Sequence, residues 1–522
     1  MDDKDKKFDV VIIGFGPAGA VAAGLLGARG FRVLVVERQK DIYDKPRAIA
    51  LDHEILRHFD NMGLYEEVIP FIRPFTASCH YGAQGQLIRT IDMVKPPYPL
   101  GYTPSMVFSQ PKLEAVLRRY VEGLETVTIV RGSEFVDFVD GGNKIRSELR
   151  DEDGRSHYAE SSFLLGCDGA SSTVRQLAGL TLKDLIFDEP WLVVDVLCGE
   201  NALAKLPRTS AQFCDPARPI TYIIGPGNHR RWEIMMLPGE NPKETEKTEN
   251  VWALLAGFMK PDEGTLWRAA AYRFHALVAQ DWQAGRVLIA GDAAHQQPPF
   301  IGQGMCQGLR DVTNLVWKLE RVLTGKSSQA LLESYTLERR RHVEQLTTRV
   351  KEIGLMICER DPQKAAERDA TIIAQGDGQP PVTTRQEIIP PLEVGVLASQ
   401  ITPARGLLFP QPFVLKAGET MLLDRAIGTG WRIILDGHKL AVKDVSDLST
   451  ASVSFTMAAI TTDKTAAEEG TVFLESDGIL KNWFEQYNAI AILVRPDHYV
   501  FGTAADHLEL NELVEDLKKQ LA

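Results

Sequence analysis

The hydrophobic positions near the start of the chain predict a strand, a helix and a second strand in close succession. Residues 8–13 form a short continuous apolar run, which is typical of a buried parallel strand. Small and apolar residues dominate 18–29, which favours a helix packed closely on a sheet, and Gly30 ends it. Residues 32–37 return to the strand pattern. These runs together predict a βαβ unit.

The later pattern predicts an antiparallel sheet set within an α/β chain. Between about 187 and 280, short strand-like runs alternate with Gly, Pro and Asn turns. Residues 359–392 are charged and rich in Pro and Gly, which indicates a linker to a separate α/β segment over 400–522. The other predicted elements are a helix at 110–122, hairpin-like strands over 126–165, a buried strand at 286–290, and helices at 304–323 and 328–358.

The composition is that of a soluble globular protein with room for two or three domains. Of the 522 residues, 44% are apolar and 25% are charged. The formal net charge of −12 repels phosphate backbones, so nucleic acid is not expected as a partner. No signal-peptide pattern opens the chain and no apolar run reaches the ~18 residues of a membrane helix, so we expect a cytoplasmic protein. The six scattered cysteines form no C-x-x-C pair, and we expect neither disulfides nor a metal site.

The turn of the βαβ unit carries a dinucleotide-binding pattern. Gly14 allows a tight turn, Gly16 lets a pyrophosphate approach the backbone, and Gly19 lets helix and strand pack closely. The helix N-terminus offers N–H groups to the phosphates. Glu37 ends the second strand, where its carboxylate can accept from ribose hydroxyls. The acid favours an unphosphorylated ribose, so the motif predicts FAD or NAD.

Two later turns also follow predicted strands. Residues 167–175 contain Asp168 and Gly169, and read equally well as an ordinary turn before a capped helix. In the second turn, the Asp292 carboxylate can hold polyol hydroxyls. It is followed by Gly302 and Gly304, which let a backbone lie against a flat ring. The helix that begins there would point its positive end at a reduced flavin.

These three motifs together resemble the class A flavoprotein aromatic hydroxylases, the p-hydroxybenzoate hydroxylase superfamily. Within that group the chain most resembles 3-(3-hydroxyphenyl)propionate hydroxylases. It departs from them around His53 and over 296–301, a stretch that the resemblance places beside the substrate. The segments that carry this second likeness are 47–52, 108–111, 230–233, 236–240, 483–488 and 495–497.

The resemblance implies an α/β fold with a discontinuous Rossmann-like FAD-binding domain and an inserted antiparallel-sheet substrate domain. The C-terminal domain would be thioredoxin-like, but it contains no cysteine and therefore cannot do dithiol chemistry. Packing or formation of a homodimer is its expected role. The expected boundaries are 1–75, 106–185 and 281–360 for FAD, 76–105 and 186–280 for substrate, 361–395 for a linker, and 396–522 for the C-terminal domain.

The resemblance also implies residue roles. Gly14, Gly16, Gly19, Glu37 and Arg38 would hold the AMP half of FAD, Arg47 would lie near the pyrophosphate and Gln110 near the ribityl chain. Asp168 and Gly169 correspond to a shared FAD and nicotinamide contact. Asp292 would bind the ribityl and pyrophosphate region, and Gly302, Gly304 and Met305 the isoalloxazine ring.

The implied activity is monooxygenation of a phenol. NADH or NADPH would dock transiently and reduce FAD, oxygen would form a flavin C4a-hydroperoxide, and this would hydroxylate an activated ring such as a 3-(3-hydroxyphenyl)propionate-like acid. One alternative is a hydroxylase of a larger polyketide-type aromatic. Others are an NAD-dependent dehydrogenase, which would be colourless, and a non-catalytic flavin-binding protein.

Candidates for handling the phenol proton are His53, Tyr222 and His295, although each also has a structural reading. The backbone at Pro298 is a further candidate for positioning the phenol oxygen. A substrate carboxylate would need a cation, and the strand arginines available are Arg218, Arg230 and Arg231.

Overall fold

An eight-stranded sheet forms the first part of the fold. The computed structural model describes residues 7–450, 452–463 and 470–522. The main path of the sheet runs Gln283–Ala284, Val287–Ile289, Ser156–Gly166, Lys7–Ile13, Val33–Glu37 and Val127–Arg131. Off this path, Ile145–Asp151 pairs with Ser156–Gly166 and Ser133–Asp140 pairs with Ile145–Asp151.

The predicted βαβ unit is confirmed in this sheet. The strand Lys7–Ile13 pairs in parallel with Val33–Glu37 on one side and Ser156–Gly166 on the other. The helix Pro17–Ala28 connects the first two, and its small residues pack close to the sheet. The helices Gln110–Glu122 and Gly304–Leu323 have the predicted bounds. The long helix after them is Glu333–Ile357.

A nine-stranded, mostly antiparallel sheet forms the second part. The strand order is His295–Gln296, Gly264–Ala279, Leu182–Cys198, His229–Met235, Ile220–Ile224, Ser210–Phe213, Ser78–Tyr81, Leu87–Asp92 and Val382–Thr384. The helices near it are Glu200–Lys205, Pro242–Thr245 and Thr248–Leu255.

The segment 361–395 is not a plain linker, contrary to the expectation from its composition. It forms the helix Pro362–Gln375, the strand Val382–Thr384 and the helix Arg385–Ile388. The strand pairs in parallel with Leu87–Asp92, so this segment completes the edge of the second sheet. Charged and Pro-rich composition reflects its exposed side and its turns, and it gives no sign of this pairing.

A seven-stranded sheet organises the C-terminal part. Its order is Glu419–Leu422, Phe413–Lys416, Val472–Glu475, Thr456–Thr461, Arg432–Asp436, Ala491–Val494 and Val500–Ala504. Its helices are Leu423–Ile427, Ile479–Gln486 and His507–Leu521. A small sheet of Ala50–Asp52, Ser105–Phe108 and Ile72–Pro74 lies beside the helices His53–Asn61 and Tyr65–Val68. No helix in the described ranges is long and apolar enough to cross a membrane.

Buried ion pairs join the C-terminal part to the first. Arg57 Nε lies 2.7 Å from Asp424 Oδ2, and both side chains are fully buried. Arg495 Nη2 lies 2.6 Å from Glu338 Oε2, again with no exposure. Breaking one partner of such a pair leaves a buried charge uncompensated. The C-terminal part is therefore an integral part of the fold.

Candidate active site

The glycine turn has the geometry that its motif requires. Gly14 has a φ of +100°, and a Cβ there would lie 2.4 Å from the Cys167 carbonyl oxygen. A Cβ on Gly19 would lie 2.0 Å from the Gly14 carbonyl oxygen. Packing within the protein thus demands glycine at both positions. At Gly16 a Cβ would have no protein atom within 4 Å, so close approach of a ligand is the remaining reason for glycine there.

The residues present fit a bound dinucleotide. The helix Pro17–Ala28 starts without a side-chain cap and without an acidic residue in its first turn. Gly16, Pro17 and Ala18 line a cavity, so the uncapped N–H groups are placed for a pyrophosphate. Glu37 accepts the Phe15 and Gln39 N–H groups at 2.8 and 2.9 Å, which leaves lone pairs on its half-buried carboxylate for ribose hydroxyls.

Three further predicted FAD contacts, Arg47, Gln110 and Arg38, lie in two different surroundings. Arg47 and Gln110 both line the cavity, and Glu114 orients both, at 3.2 Å from Arg47 Nη2 and 2.7 Å from Gln110 Nε2. Arg38, by contrast, is exposed and does not line the cavity.

The second motif divides between a structural residue and a cavity residue. Asp168 accepts hydrogen bonds from the Ser172 hydroxyl and, at 3.1 Å, from the Val174 N–H. Its carboxylate therefore supports the start of the short helix Thr173–Leu177, as the plain turn reading expects. Gly169, with a φ of +85°, lines the cavity.

The third motif places a carboxylate in the cavity wall. Asp292 lies in the short 3₁₀ helix Gly291–Ala293 and lines the cavity. The surrounding protein desolvates its carboxyl and raises its pKa, and the nearby Asp311 carboxylate adds to this. Hydroxyl or cation donors brought by a ligand would stabilise its charged form.

A buried network, which the sequence motifs did not reveal, holds this loop. Asp311 Oδ2 accepts the Gly291 N–H at 3.0 Å and lies 2.8 Å from His295 Nε2. Arg339 Nε donates to Asp311 Oδ1 at 2.9 Å. His295 is thereby engaged in positioning the loop. The available signal was the adjacent opposite charges of Arg310 and Asp311 in the helix Gly304–Leu323.

The flavin-binding candidates Gly302, Gly304 and Met305 lie at the start of the helix Gly304–Leu323. Gly302 has a φ of +66°, and a Cβ there would lie 2.8 Å from Ala50 Cβ. The helix starts without a side-chain cap, and all three residues line the cavity. Its positive end is therefore available to an anionic ring edge.

One cavity of about 480 Å³ joins these loops to the second sheet. A volume of this size is typical of a small-molecule site. Side chains from the sheet that line it include Val193, Ser210, Gln212, Thr221, Ile223, Tyr272 and Phe274. The predicted meeting of cofactor loops and substrate sheet is thus present in the geometry.

The three catalytic candidates differ in position. His53 is buried outside the cavity lining, and burial lowers its pKa to about 4, so it is neutral near pH 7. Pro298 is buried and also does not line the cavity, whereas Gln297 and Pro299 do. Tyr222 lines it, but its hydroxyl donates to the Pro207 carbonyl at 3.3 Å and burial raises its pKa to about 12.

Glu233 is a cavity residue that the sequence reasoning missed as a site residue. It is 3% exposed, and its Oε2 has no hydrogen-bond partner among the described residues. Burial raises the pKa of its carboxyl to about 7. Strand alternation places it on the cavity side with Arg231, while Trp232 and Ile234 pack into the apolar core behind.

The three arginines considered for a substrate carboxylate are already engaged. Arg218 Nη2 lies 2.6 Å from Glu240, and Arg231 Nε lies 2.7 Å from Asp195. Arg230 donates to the carbonyls of Gly227 and His229. Arg218 and Arg231 are thus ion-paired, and neither Arg218 nor Arg230 lines the cavity.

Two family models cover most of the chain. Residues 7–350 match the FAD-binding domain family, and residues 406–520 match the HcaD C-terminal domain. The first match includes all three cofactor motifs described above.

Two curated relatives match nearly the whole chain. A probable NADH-specific resorcinol 4-hydroxylase from Rhodococcus jostii (strain RHA1) is 35% identical, covering 99% of this chain and 96% of that protein. A 3-(3-hydroxy-phenyl)propionate/3-hydroxycinnamic acid hydroxylase from Burkholderia cenocepacia (strain HI2424) is 31% identical, covering 94% and 93%.

Solved structures show the same fold. The flavin-dependent monooxygenase PieE, in complex with FAD and substrate, aligns with a TM-score of 0.81 over 99% of this chain and 100% of that one, at 21% identity. A ternary complex of aklavinone-11 hydroxylase with FAD and aklavinone aligns with a TM-score of 0.79 at 22% identity, over 99% and 100%. With its cofactor motifs, its cavity and these matches, the chain belongs to the family of FAD-dependent aromatic hydroxylases.

Proposed function

We propose that this enzyme uses NADH to hydroxylate a small phenol that carries a carboxylate side chain, in the manner of 3-(3-hydroxyphenyl)propionate. The observation that carries this proposal is one cavity shared by the three cofactor loops and a face of the second sheet. NADH is inferred from the name of the resorcinol relative.

The residue roles we propose follow from the geometry. The uncapped N-terminus of Pro17–Ala28 binds the pyrophosphate and Glu37 the ribose. Asp292 binds ribityl hydroxyls, and the backbone at Gly302–Met305 supports the ring. When bound, FAD supplies hydride acceptance and oxygen activation. The protein orients the phenol on the sheet face and keeps water out.

Two other substrates have specific support. Resorcinol is favoured by the name of the 35% identical relative. A polyketide-type aromatic such as aklavinone is bound by a protein of the same fold, but the cavity of about 480 Å³ must also receive the flavin ring, which favours a single-ring substrate. A thioredoxin-like C-terminal fold, a homodimer and a cytoplasmic location stay predictions.

The test is a panel of phenols assayed with FAD-loaded enzyme. NADH consumption, peroxide release and hydroxylated product are measured for 3-(3-hydroxyphenyl)propionate, resorcinol and a bicyclic phenol. We expect NADH consumption coupled to product for the phenolic acid. NADH consumption that yields only peroxide with every member would refute the proposal, and coupling with resorcinol alone would replace it with the first alternative.

A further inference from the structure

The arginines that line the cavity differ in whether a carboxylate pairs with them. Five of them line the cavity, and four have a carboxylate oxygen within 4 Å: Arg47 with Glu114, Arg231 and Arg268 with Asp195, and Arg273 with Asp188. The fifth, Arg385, has no ion-pair partner among the residues that the structure describes.

Arg385 is nevertheless buried and firmly held. It is 8% exposed, and its guanidinium carbon lies 3.9 Å from the centre of the Phe75 ring. Its Nη1 donates to the Ile301 carbonyl at 2.9 Å. Phe75 and Ile301 are themselves cavity-lining residues, so the guanidinium is fixed in the wall.

The rest of the guanidinium is left for another acceptor. Arg385 Nε and Nη2 make no hydrogen bond in the described part of the protein, and both atoms remain accessible to solvent. Burial without a compensating anion lowers the pKa of Arg385 to about 10, so it still carries its charge at neutral pH. A desolvated cation of this kind is costly unless a ligand supplies the anion.

We propose that Arg385 is the specificity-determining residue that binds the carboxylate of a phenolic acid substrate. A guanidinium offers two parallel N–H donors that match the two oxygens of a carboxylate. The inference rests on the proposed function, whose substrate class it explains. The other arginines considered do not compete for this role, since Arg218 and Arg231 are ion-paired and Arg230 does not line the cavity.

Ligand binding tests this inference without turnover. In FAD-loaded enzyme, flavin difference spectra report the Kd of 3-(3-hydroxyphenyl)propionate, its methyl ester and resorcinol. We expect Arg385→Met to raise the Kd of the acid roughly 10- to 100-fold, as expected for a lost charge-assisted hydrogen bond. The Kd of the ester and of resorcinol should change less than about 3-fold on the same principle.

Two variants separate the roles. Arg349 donates to the carbonyl of Ile388, the last residue of the helix Arg385–Ile388, and does not line the cavity. Arg349→Met should therefore leave all three Kd values unchanged, whereas Arg385→Lys should fall between wild type and Arg385→Met for the acid only.

Several outcomes overturn the proposal. One is an equal loss for acid, ester and resorcinol in Arg385→Met, which would make Arg385 a support of the 297–302 loop. Another is wild-type enzyme that binds the ester or resorcinol as tightly as the acid. Failure of the proposed function is distinct, because it would appear as absence of hydroxylated product from wild type while the acid still binds through Arg385.

Discussion

Replacing Glu233 with Gln should make the enzyme more stable at alkaline pH. Burial raises the pKa of this carboxyl from 4.5 to about 7. The folded protein therefore holds the proton more tightly than the unfolded chain. Its stabilising effect is complete below pH 4.5 and is lost as the pH rises through about 7. Gln has nearly the same shape and no charge, so it removes this dependence.

The magnitude follows from the shift. At roughly 1.4 kcal/mol per pKa unit, raising the pH from below 4.5 to above 7 lowers the free energy of unfolding of wild type by about 3 kcal/mol. The free energy of unfolding of Glu233→Gln should not change in this way. The unfolding entropy of a 522-residue protein is of order 1 kcal/mol per kelvin, so the melting temperatures should diverge by about 3 °C. Thermal unfolding of FAD-loaded enzyme, followed by intrinsic fluorescence from pH 5 to 8, measures the divergence.

Glu240 provides the control. Its hydrogen bond with Arg218 lowers its pKa, so it is ionised throughout this range and Glu240→Gln should be less stable by a constant amount between pH 6 and 8. A difference between Glu233→Gln and wild type that stays flat from pH 5 to 8 would show that the buried carboxyl does not titrate as its surroundings imply.

Three further predictions concern the cofactor and the domain contact. Asp292→Ala should weaken FAD binding, seen as a higher Kd in a flavin-fluorescence titration, and an unchanged Kd would contradict its role. Gly16→Ala should leave the melting temperature of the FAD-free protein unchanged but weaken FAD binding. Gly19→Ala should lower both the melting temperature and the affinity for FAD, because its Cβ would lie 2.0 Å from the Gly14 carbonyl oxygen. Similar behaviour of the two variants would argue against the pyrophosphate site. Arg57→Met removes one of the cations that pair with the buried Asp424 carboxylate, and should lower the free energy of unfolding in urea by about 3–5 kcal/mol. A decrease below about 1 kcal/mol would show that the contact is dispensable.

Local pattern was enough to predict the cofactor loops. The glycine turn and Glu37 lie within 24 residues, so their chemistry and spacing are visible along the chain. The helices at 110–122 and 304–323 also follow from periodicity alone.

Long-range pairing was beyond the sequence pattern. Whether Glu233 faces a cavity depends on its pairing with Val193 and Thr221, and no local signal specifies that register. Composition alone places Arg385 in a linker, because its segment joins a sheet only through the distant strand Leu87–Asp92. Neither His53 nor Pro298 lines the cavity, because their place relative to it depends on long-range packing that the sequence pattern does not encode.

The buried contact between Arg57 and Asp424 has a consequence for synthesis on the ribosome. The two residues lie 367 positions apart, and translation at about 5–20 residues per second makes the second roughly 20–70 s after the first. Throughout that interval the Arg57 guanidinium in the helix His53–Asn61 lacks the Asp424 carboxylate with which it pairs. The helix lies beside the small sheet whose strand Ala50–Asp52 contacts the Gly302 turn, so the cavity wall at this point can reach its final packing only after the C-terminal sheet has emerged and folded. Early fragments of the nascent chain should therefore be clients for chaperones, even though the glycine turn is among the first segments made.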